Sequence, residues 1–196
     1  MGKLIGICGG IGSGKSVVSR MLRMMGYTVY DCDTEARRLM ESNRCIKERI
    51  RDEISAEVTD GDSAPRRELL ASIVFADENM RRRLNTIVHG AVCADVARES
   101  ASRPILFVEA AILAESGLAA MCDSIWLVEA DEADRMRRVL RRDGCSEAQF
   151  RSRMESQRRE SELLTLHSER IHTLRNYGGE SLLMEVVRGI SATIGR

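Results

Sequence analysis

The run Gly9-Gly10-Ile11-Gly12-Ser13-Gly14-Lys15-Ser16 fits G-x-x-x-x-G-K-[ST], a spacing whose chemistry is phosphate binding. Glycines let the backbone curl so that successive N–H groups turn inward toward phosphate oxygens. The Lys15 ammonium can reach the β- and γ-phosphates of a nucleotide, and the Ser16 hydroxyl can ligate Mg²⁺. The start of the following helix adds a partial positive charge. A glycine-rich turn without a ligand is the plain alternative, and it leaves the Lys-Ser pair unexplained.

Acids stand at two further places where such a loop would need them. Thr28-Val29-Tyr30 reads as a short strand running into Asp31-Cys32-Asp33. If the chain stays extended, Asp31 and Asp33 fall on the same side. Ligands of open parallel sheets lie beyond the carboxyl ends of the strands, so Asp33 is placed where a substrate could be. It could equally N-cap a helix starting near Thr34. Ile105-Leu106-Phe107-Val108 ends in Glu109, a position from which P-loop enzymes hold Mg²⁺ through water, or an ordinary strand-end acid. Glu115 follows near the same edge.

Basic residues concentrate in one stretch. Arg135, Arg137, Arg138, Arg141 and Arg142 precede Asp143-Gly144, and Arg151, Arg153, Arg158 and Arg159 follow. Arg138 and Arg142 share a helix face at i, i+4, while Met136, Val139 and Leu140 form the apolar stripe. Ser146 and Gln149 have capping-box spacing, so a second helix starts at about Glu147. The pattern is a helical hairpin. Its arginines either close over a transferring phosphoryl group or pair with nearby acids in solvent. Arg37, Arg67 and His89 are further candidate anion contacts, with a solvated surface role as the bland reading.

The elements that must position these residues can be read from periodicity. Lys3 to Cys8 is an apolar run that reads as a buried strand before the loop. Val17, Val18, Met21, Leu22 and Met25 recur at helical spacing after it, and Gly26 is a stop. From Thr34 to about Ser102 the pattern is helical, broken by the linker Asp60-Gly61-Asp62-Ser63-Ala64-Pro65. Ser124 to Val128 is a fourth strand and Ile171 to Leu174 a weak fifth. The last helix carries Leu182, Leu183, Val186, Val187 and Ile190.

Composition narrows the function classes. The chain has 196 residues and 43% apolar content, enough for one α/β core plus an insertion. Formal net charge is zero, so no global field draws it to nucleic acid or a membrane surface. No apolar run approaches a membrane span, and the start lacks a signal-peptide pattern. Six cysteines without a C-x-x-C pair argue for reduced thiols in a cytoplasmic protein. No guanine-reading Asn-Lys-x-Asp appears. The hairpin lacks aromatics to stack bases. A small core, a helical insertion and an arginine-rich hairpin suit a small-molecule kinase. A nucleotide-dependent switch without an acceptor stays open at this level.

The sequence resembles the dephospho-CoA kinase family over almost its whole length. The loop followed by Asp31-x-Asp33-x3-Arg37 matches that family's signature. Arg67-x2-Leu70 with Phe75, His89, Ala111-Ile112-Leu113-Ala114-Glu115, Arg138-x3-Arg142-Asp143-Gly144 with Gln157, and Asn176 before Gly178-Gly179 are similar to its later motifs. There are departures. Gly90 replaces the proline after His89, Arg66 replaces a frequent Asp, and Ala111 and Ala114 replace Pro and Phe. Arg170-Ile171 stands where the family has Ala-Asp.

The resemblance implies a three-layer α/β P-loop NTPase fold with a central parallel five-stranded sheet, a helical acceptor-binding insertion and a helical lid. Its nucleotide-binding core is expected at 1–33, 103–134 and 160–196, the dephospho-CoA-binding domain at 34–102, and the lid at 135–159. It implies transfer of the ATP γ-phosphoryl group to the ribose 3′-hydroxyl of dephospho-CoA. Asp33, Lys15 and Arg138 are the implied catalytic residues. Gly10 to Val17 (Gly10, Ile11, Gly12, Ser13, Gly14, Lys15, Ser16, Val17), Arg142 and Asn176 would bind ATP. Asp33, Arg37, Arg67, His89 and Glu115 would bind the acceptor, and Ser16 the Mg²⁺. The expected partners are ATP and dephospho-CoA, without nucleic acid or membrane, in a monomer or weak homo-oligomer.

Overall fold

The computed structural model describes residues 2–195. In chain order the elements are β1 (Lys3–Cys8), α1 (Lys15–Met24), β2 (Val29–Asp31), α2 (Cys32–Ser42), α3 (Arg44–Glu53), α4 (Arg67–Ala76), α5 (Glu78–Ala101), β3 (Ile105–Glu109), α6 (Leu118–Met121), β4 (Ser124–Glu129), α7 (Glu132–Asp143), α8 (Glu147–Ser156), α9 (Arg158–Leu164), β5 (Ile171–Arg175) and α10 (Gly179–Thr193). A 3-10 turn, Thr165–Arg170, joins α9 to β5.

The strands form one five-stranded sheet in the order β2-β3-β1-β4-β5, every pair parallel. Parallel sheets are covered on both faces, which is why β1, β3 and β4 read as near-continuous apolar runs. Toward α1 and α10, the side chains of Ile5, Ile7, Phe107, Trp126, Val128 and Leu174 meet Val18, Leu22, Leu182 and Val186. The Phe107 ring stands edge-on to Trp126 at 5.0 Å and to Tyr27 at 5.4 Å. Aromatics are few, so these rings carry much of the core: fully burying one such side chain is worth on the order of 1.5–3 kcal/mol. On the opposite face, a Cβ at Gly6 would meet Leu113 Cδ2 at 2.5 Å, so the segment after β3 lies directly on β1.

The chain divides into two compact units, one comprising Met1–Asp31 with Glu99–Arg196, the other Cys32–Arg98. The first holds the sheet. The second is helical, and α2, α3 and α4 bury Leu39, Ile46, Ile50 and Leu70. An Asn43 cap starts α3, its side chain accepting from Ile46 N–H at 3.2 Å.

Two expectations change. The extended run of β2 stops at Asp31 and α2 begins at Cys32, so Asp33 lies inside the first helical turn. Strand alternation therefore does not relate it to Asp31, and it is not a cap ahead of Thr34. Asp33 and Glu35 in that turn complement the positive end of the helix. In α10, Leu182 and Val186 are buried, whereas Leu183 and Val187 stay partly exposed, so the apolar stripe is narrower than its sequence pattern suggests.

Candidate active site

The loop between β1 and α1 leaves the central strand of the sheet, where the strand order reverses and ligands of α/β folds bind. Its shape is imposed from outside. At Gly9 (φ 144°) a Cβ would fall 2.3 Å from the Val128 carbonyl oxygen. At Gly14 (φ 108°) it would fall 2.3 Å from Asn176 Nδ2. Both positions therefore need glycine for conformation and for space. Ser13 is buried, and its N–H donates to the Gly10 carbonyl at 3.1 Å, which turns the loop back on itself. Gly14 then starts α1, whose first-turn N–H groups form the positive end.

Side chains from later elements brace this curl. Asn176, just after β5, is buried; its Nδ2 donates to the Ser13 carbonyl at 2.6 Å and its Oδ1 accepts from Gly178 N–H at 3.0 Å. Arg138, in α7, donates from Nη1 to the carbonyls of Gly12 and Ser13 (3.3 and 3.4 Å) and from Nη2 to that of Asn176 (3.5 Å). Gln157, between α8 and α9, accepts the Ile11 N–H at 2.7 Å. Lys15 Nζ lies across the loop, donating to the carbonyl of Gly9 at 2.6 Å. Ser16 and Val17 are exposed in the first turn of α1.

Arg142 takes a different place. Its Nε and Nη2 donate to the two oxygens of Asp143 (2.6 and 3.1 Å), and Arg153 Nη1 donates to the same carboxylate at 2.8 Å. This clamp ties the end of α7 to α8. The capping box at Ser146 and Gln149 is formed, with both reciprocal bonds present. Val139 and Phe150 supply the buried side chains of α7 and α8.

At the edge of the sheet, Asp31 and Glu109 are register neighbours on β2 and β3. Burial pushes the Glu109 carboxyl above the ordinary glutamate range, and the charge of Asp31 adds to the shift. The two neighbouring carboxylates supply oxygen donors of the kind that suits a hard cation such as Mg²⁺. Lys15 also acts on Glu109, favouring its charged form.

Sequence reasoning passed over Glu160 and gave Arg135, one of the hairpin arginines, no site role of its own. Glu160, in α9, is buried with 4% of its surface exposed, and its carboxylate accepts the N–H groups of Ala114 and Glu115. Arg135 packs on the outside of the loop, where a Cβ on Gly10 would meet its Nη1 at 2.3 Å. Both lie in stretches crowded with like residues, and nothing in spacing separates them from their neighbours. Arg135 also borders a cavity of about 530 Å³ at the carboxyl ends of β4 and β5, with Gly10, Glu129, Asp131, Arg175 and Tyr177.

In the helical unit, Arg37 and Arg67 come together around a small cavity of about 40 Å³ shared with Met40, Glu41, Pro65 and Leu70. Arg67 is exposed and ion-paired with Glu41. Asp33 and Arg37 are exposed on α2, one helical turn apart at i, i+4. His89 is half-buried in α5 and is not among the residues lining that cavity. Among the described residues no helix is long and apolar enough to cross a membrane.

Comparison with known proteins agrees across sequence and structure. A family model described as "Dephospho-CoA kinase" matches residues 3–175. A dephospho-CoA kinase of Porphyromonas gingivalis is 36% identical over 186 residues, covering 94% of this chain and 91% of that protein. One from Shouchella clausii is 35% identical, covering 78% and 80%. Among solved structures, TT1252 from Thermus thermophilus superposes with a TM-score of 0.78 at 32% identity, covering 97% of each chain. The dephospho-CoA kinase from Campylobacter jejuni shares the fold with a TM-score of 0.68 at 20% identity, covering 100% of this chain and 99% of its own.

Proposed function

Because the chain belongs to the dephospho-CoA kinase family, we propose a division of labour among its residues for that reaction: transfer of the ATP γ-phosphoryl group to the ribose 3′-hydroxyl of dephospho-CoA, giving coenzyme A and ADP. The observation that carries it is a phosphate-binding loop braced by Asn176 and Arg138 in a chain that matches the family from residue 3 to 175.

Phosphoryl transfer passes through a loose transition state, so the protein's task is positioning and charge stabilisation. The loop and the start of α1 hold the β- and γ-phosphates. Lys15 exchanges its loop carbonyls for phosphate oxygens. Arg138 sits against the loop from which it can offset developing charge, and Arg142 joins it by giving up Asp143 when the hairpin closes. Closure excludes water that would otherwise hydrolyse ATP. Asp33 orients the acceptor hydroxyl and accepts its proton as the bond to phosphorus forms. Arg37 and Arg67, with His89 and Glu115, hold the acceptor and its phosphates.

Mg²⁺ accompanies ATP. Ser16, with Glu109 beside Asp31, would hold it, and when bound it would offset charge on the β- and γ-phosphates. The protein works in the cytoplasm, where its six cysteines remain thiols, as a monomer or weak homo-oligomer.

The test is ADP release with Mg-ATP in the presence and absence of dephospho-CoA, with the product weighed and its phosphorylated position assigned by NMR. Acceptor-dependent ADP release and a product heavier by one phosphoryl group at the 3′-oxygen are expected. ADP release indifferent to dephospho-CoA would overturn the assignment in favour of a nucleotide switch.

A further inference from the structure

The segment between β3 and α6 is held at two points. Leu113 packs directly against Gly6 of β1. The second hold is Glu160, whose Oε1 accepts Ala114 N–H at 2.8 Å and whose Oε2 accepts Glu115 N–H at 2.9 Å. A buried carboxylate is costly unless its oxygens are satisfied. Here backbone amides, rather than a basic side chain, bond to it. Burial, with the charge of Glu115 behind it, raises its own carboxyl, and it in turn helps to raise the Cys8 thiol at the end of β1. A group placed at such expense, 46 positions from its partner, does more than fill space.

We propose that Glu160 is a positioning residue for the acceptor. It fixes the backbone of residues 113–115 and so aims Glu115, the residue assigned above to the acceptor; the inference rests on that assignment. Three residues earlier, Gln157 reaches the phosphate-binding loop through Ile11 N–H. One short turn at the start of α9 therefore carries two separate supports, Gln157 for the ATP loop and Glu160 for the acceptor segment.

The two supports predict opposite kinetic signatures. In the full chain, Glu160→Ala raises KM for dephospho-CoA about tenfold or more, while KM for ATP stays within about twofold. Glu160→Gln keeps one acceptor oxygen and recovers most of the loss. Gln157→Ala shows the reverse split, raising KM for ATP. Because Glu160 acts through the segment, adding Glu160→Ala to Glu115→Ala costs little more than Glu115→Ala alone. Amide hydrogen exchange at residues 113–117 rises in Glu160→Ala, whichever acceptor the enzyme uses.

Unchanged exchange at 113–117 would overturn the proposal, as would a parallel rise in both KM values. If Glu160→Ala does not fold, Glu160→Gln carries the same two readouts at smaller amplitude, and its failure to move either is equally fatal. Faster exchange at 113–117 with no effect on dephospho-CoA kinetics would also overturn it, and would place the failure in the assignment of Glu115 rather than in the contact of Glu160 with the segment.

Discussion

Gly14 and Asp33 show two ways in which one residue can matter, the first through the space it leaves and the second through the charge it brings. A methyl at Gly14 would overlap the Asn176 amide at 2.3 Å, in a left-handed conformation that β-carbons disfavour. Gly14→Ala should therefore destabilise the fold by roughly 1–3 kcal/mol and raise KM for ATP about tenfold or more, because Ser13 and α1 are displaced together. Urea unfolding and initial rates read the two effects, and a variant with normal KM for ATP would mean the loop does not depend on this contact. Asp33 is exposed in the first turn of α2, so its loss should cost the fold no more than about 1 kcal/mol of helix-end charge. Asp33→Asn should lower kcat roughly a hundredfold or more and leave KM for ATP unchanged. Wild-type turnover in that variant would remove Asp33 from the reaction.

At the scale of elements, the hairpin of α7 and α8 is closed by one carboxylate. Arg142 and Arg153 hold the Asp143 carboxyl well below the usual 3.8, at about 2. A depressed folded-state value means the ionised form is favoured by folding. The contribution is thus complete above the ordinary aspartate range and is lost as pH falls through about 2. The Asp143 carboxyl-carbon shift in NMR should titrate with a midpoint near 2, and Arg153→Ala should move it upward. A midpoint in the ordinary range would show that the clamp is not formed in solution. This hairpin also shows where sequence reading works and where it stops. The Ser146–Gln149 box and the i, i+4 pairing of Arg138 with Arg142 are local patterns, legible at a glance. That Arg138 turns to the loop while Arg142, one turn further along the same face, turns to Asp143 depends on how far along α7 the loop reaches. That Glu160, and not Glu162, enters the interior depends on where α9 restarts after Gln157. The end of β2 is hidden in the sequence for a similar reason: alternation over three residues cannot tell whether the next residue bends into a helix. By contrast β1, β3 and β4, buried on both faces, announce themselves as apolar runs.

At the scale of the whole molecule, the division into a sheet unit and a helical unit suggests that each substrate acts mainly on one of them. The phosphate-binding loop, Arg138 and Asn176 all belong to the sheet unit, and Arg37, Arg67 and His89 all belong to residues 32–98. Ligand that binds only the folded state stabilises it by mass action, about 2.7 kcal/mol at a hundredfold excess over Kd. That stabilisation appears first where the ligand removes local openings. A non-hydrolysable ATP analogue with Mg²⁺ should therefore slow amide exchange in residues 9–24 and 173–178, with little change in α3. Dephospho-CoA should slow exchange in α2, α4 and the middle of α5, and in residues 113–117 through the Glu160 link. Helix α3, none of whose residues lines the cavity beside Arg37 and Arg67, provides the internal control. If dephospho-CoA protects only the sheet unit, Arg37 and Arg67 are surface charges and the acceptor is held elsewhere; if it protects the helical unit while Arg37→Ala abolishes that protection and leaves ATP protection intact, the two substrates are bound by separate parts of one chain.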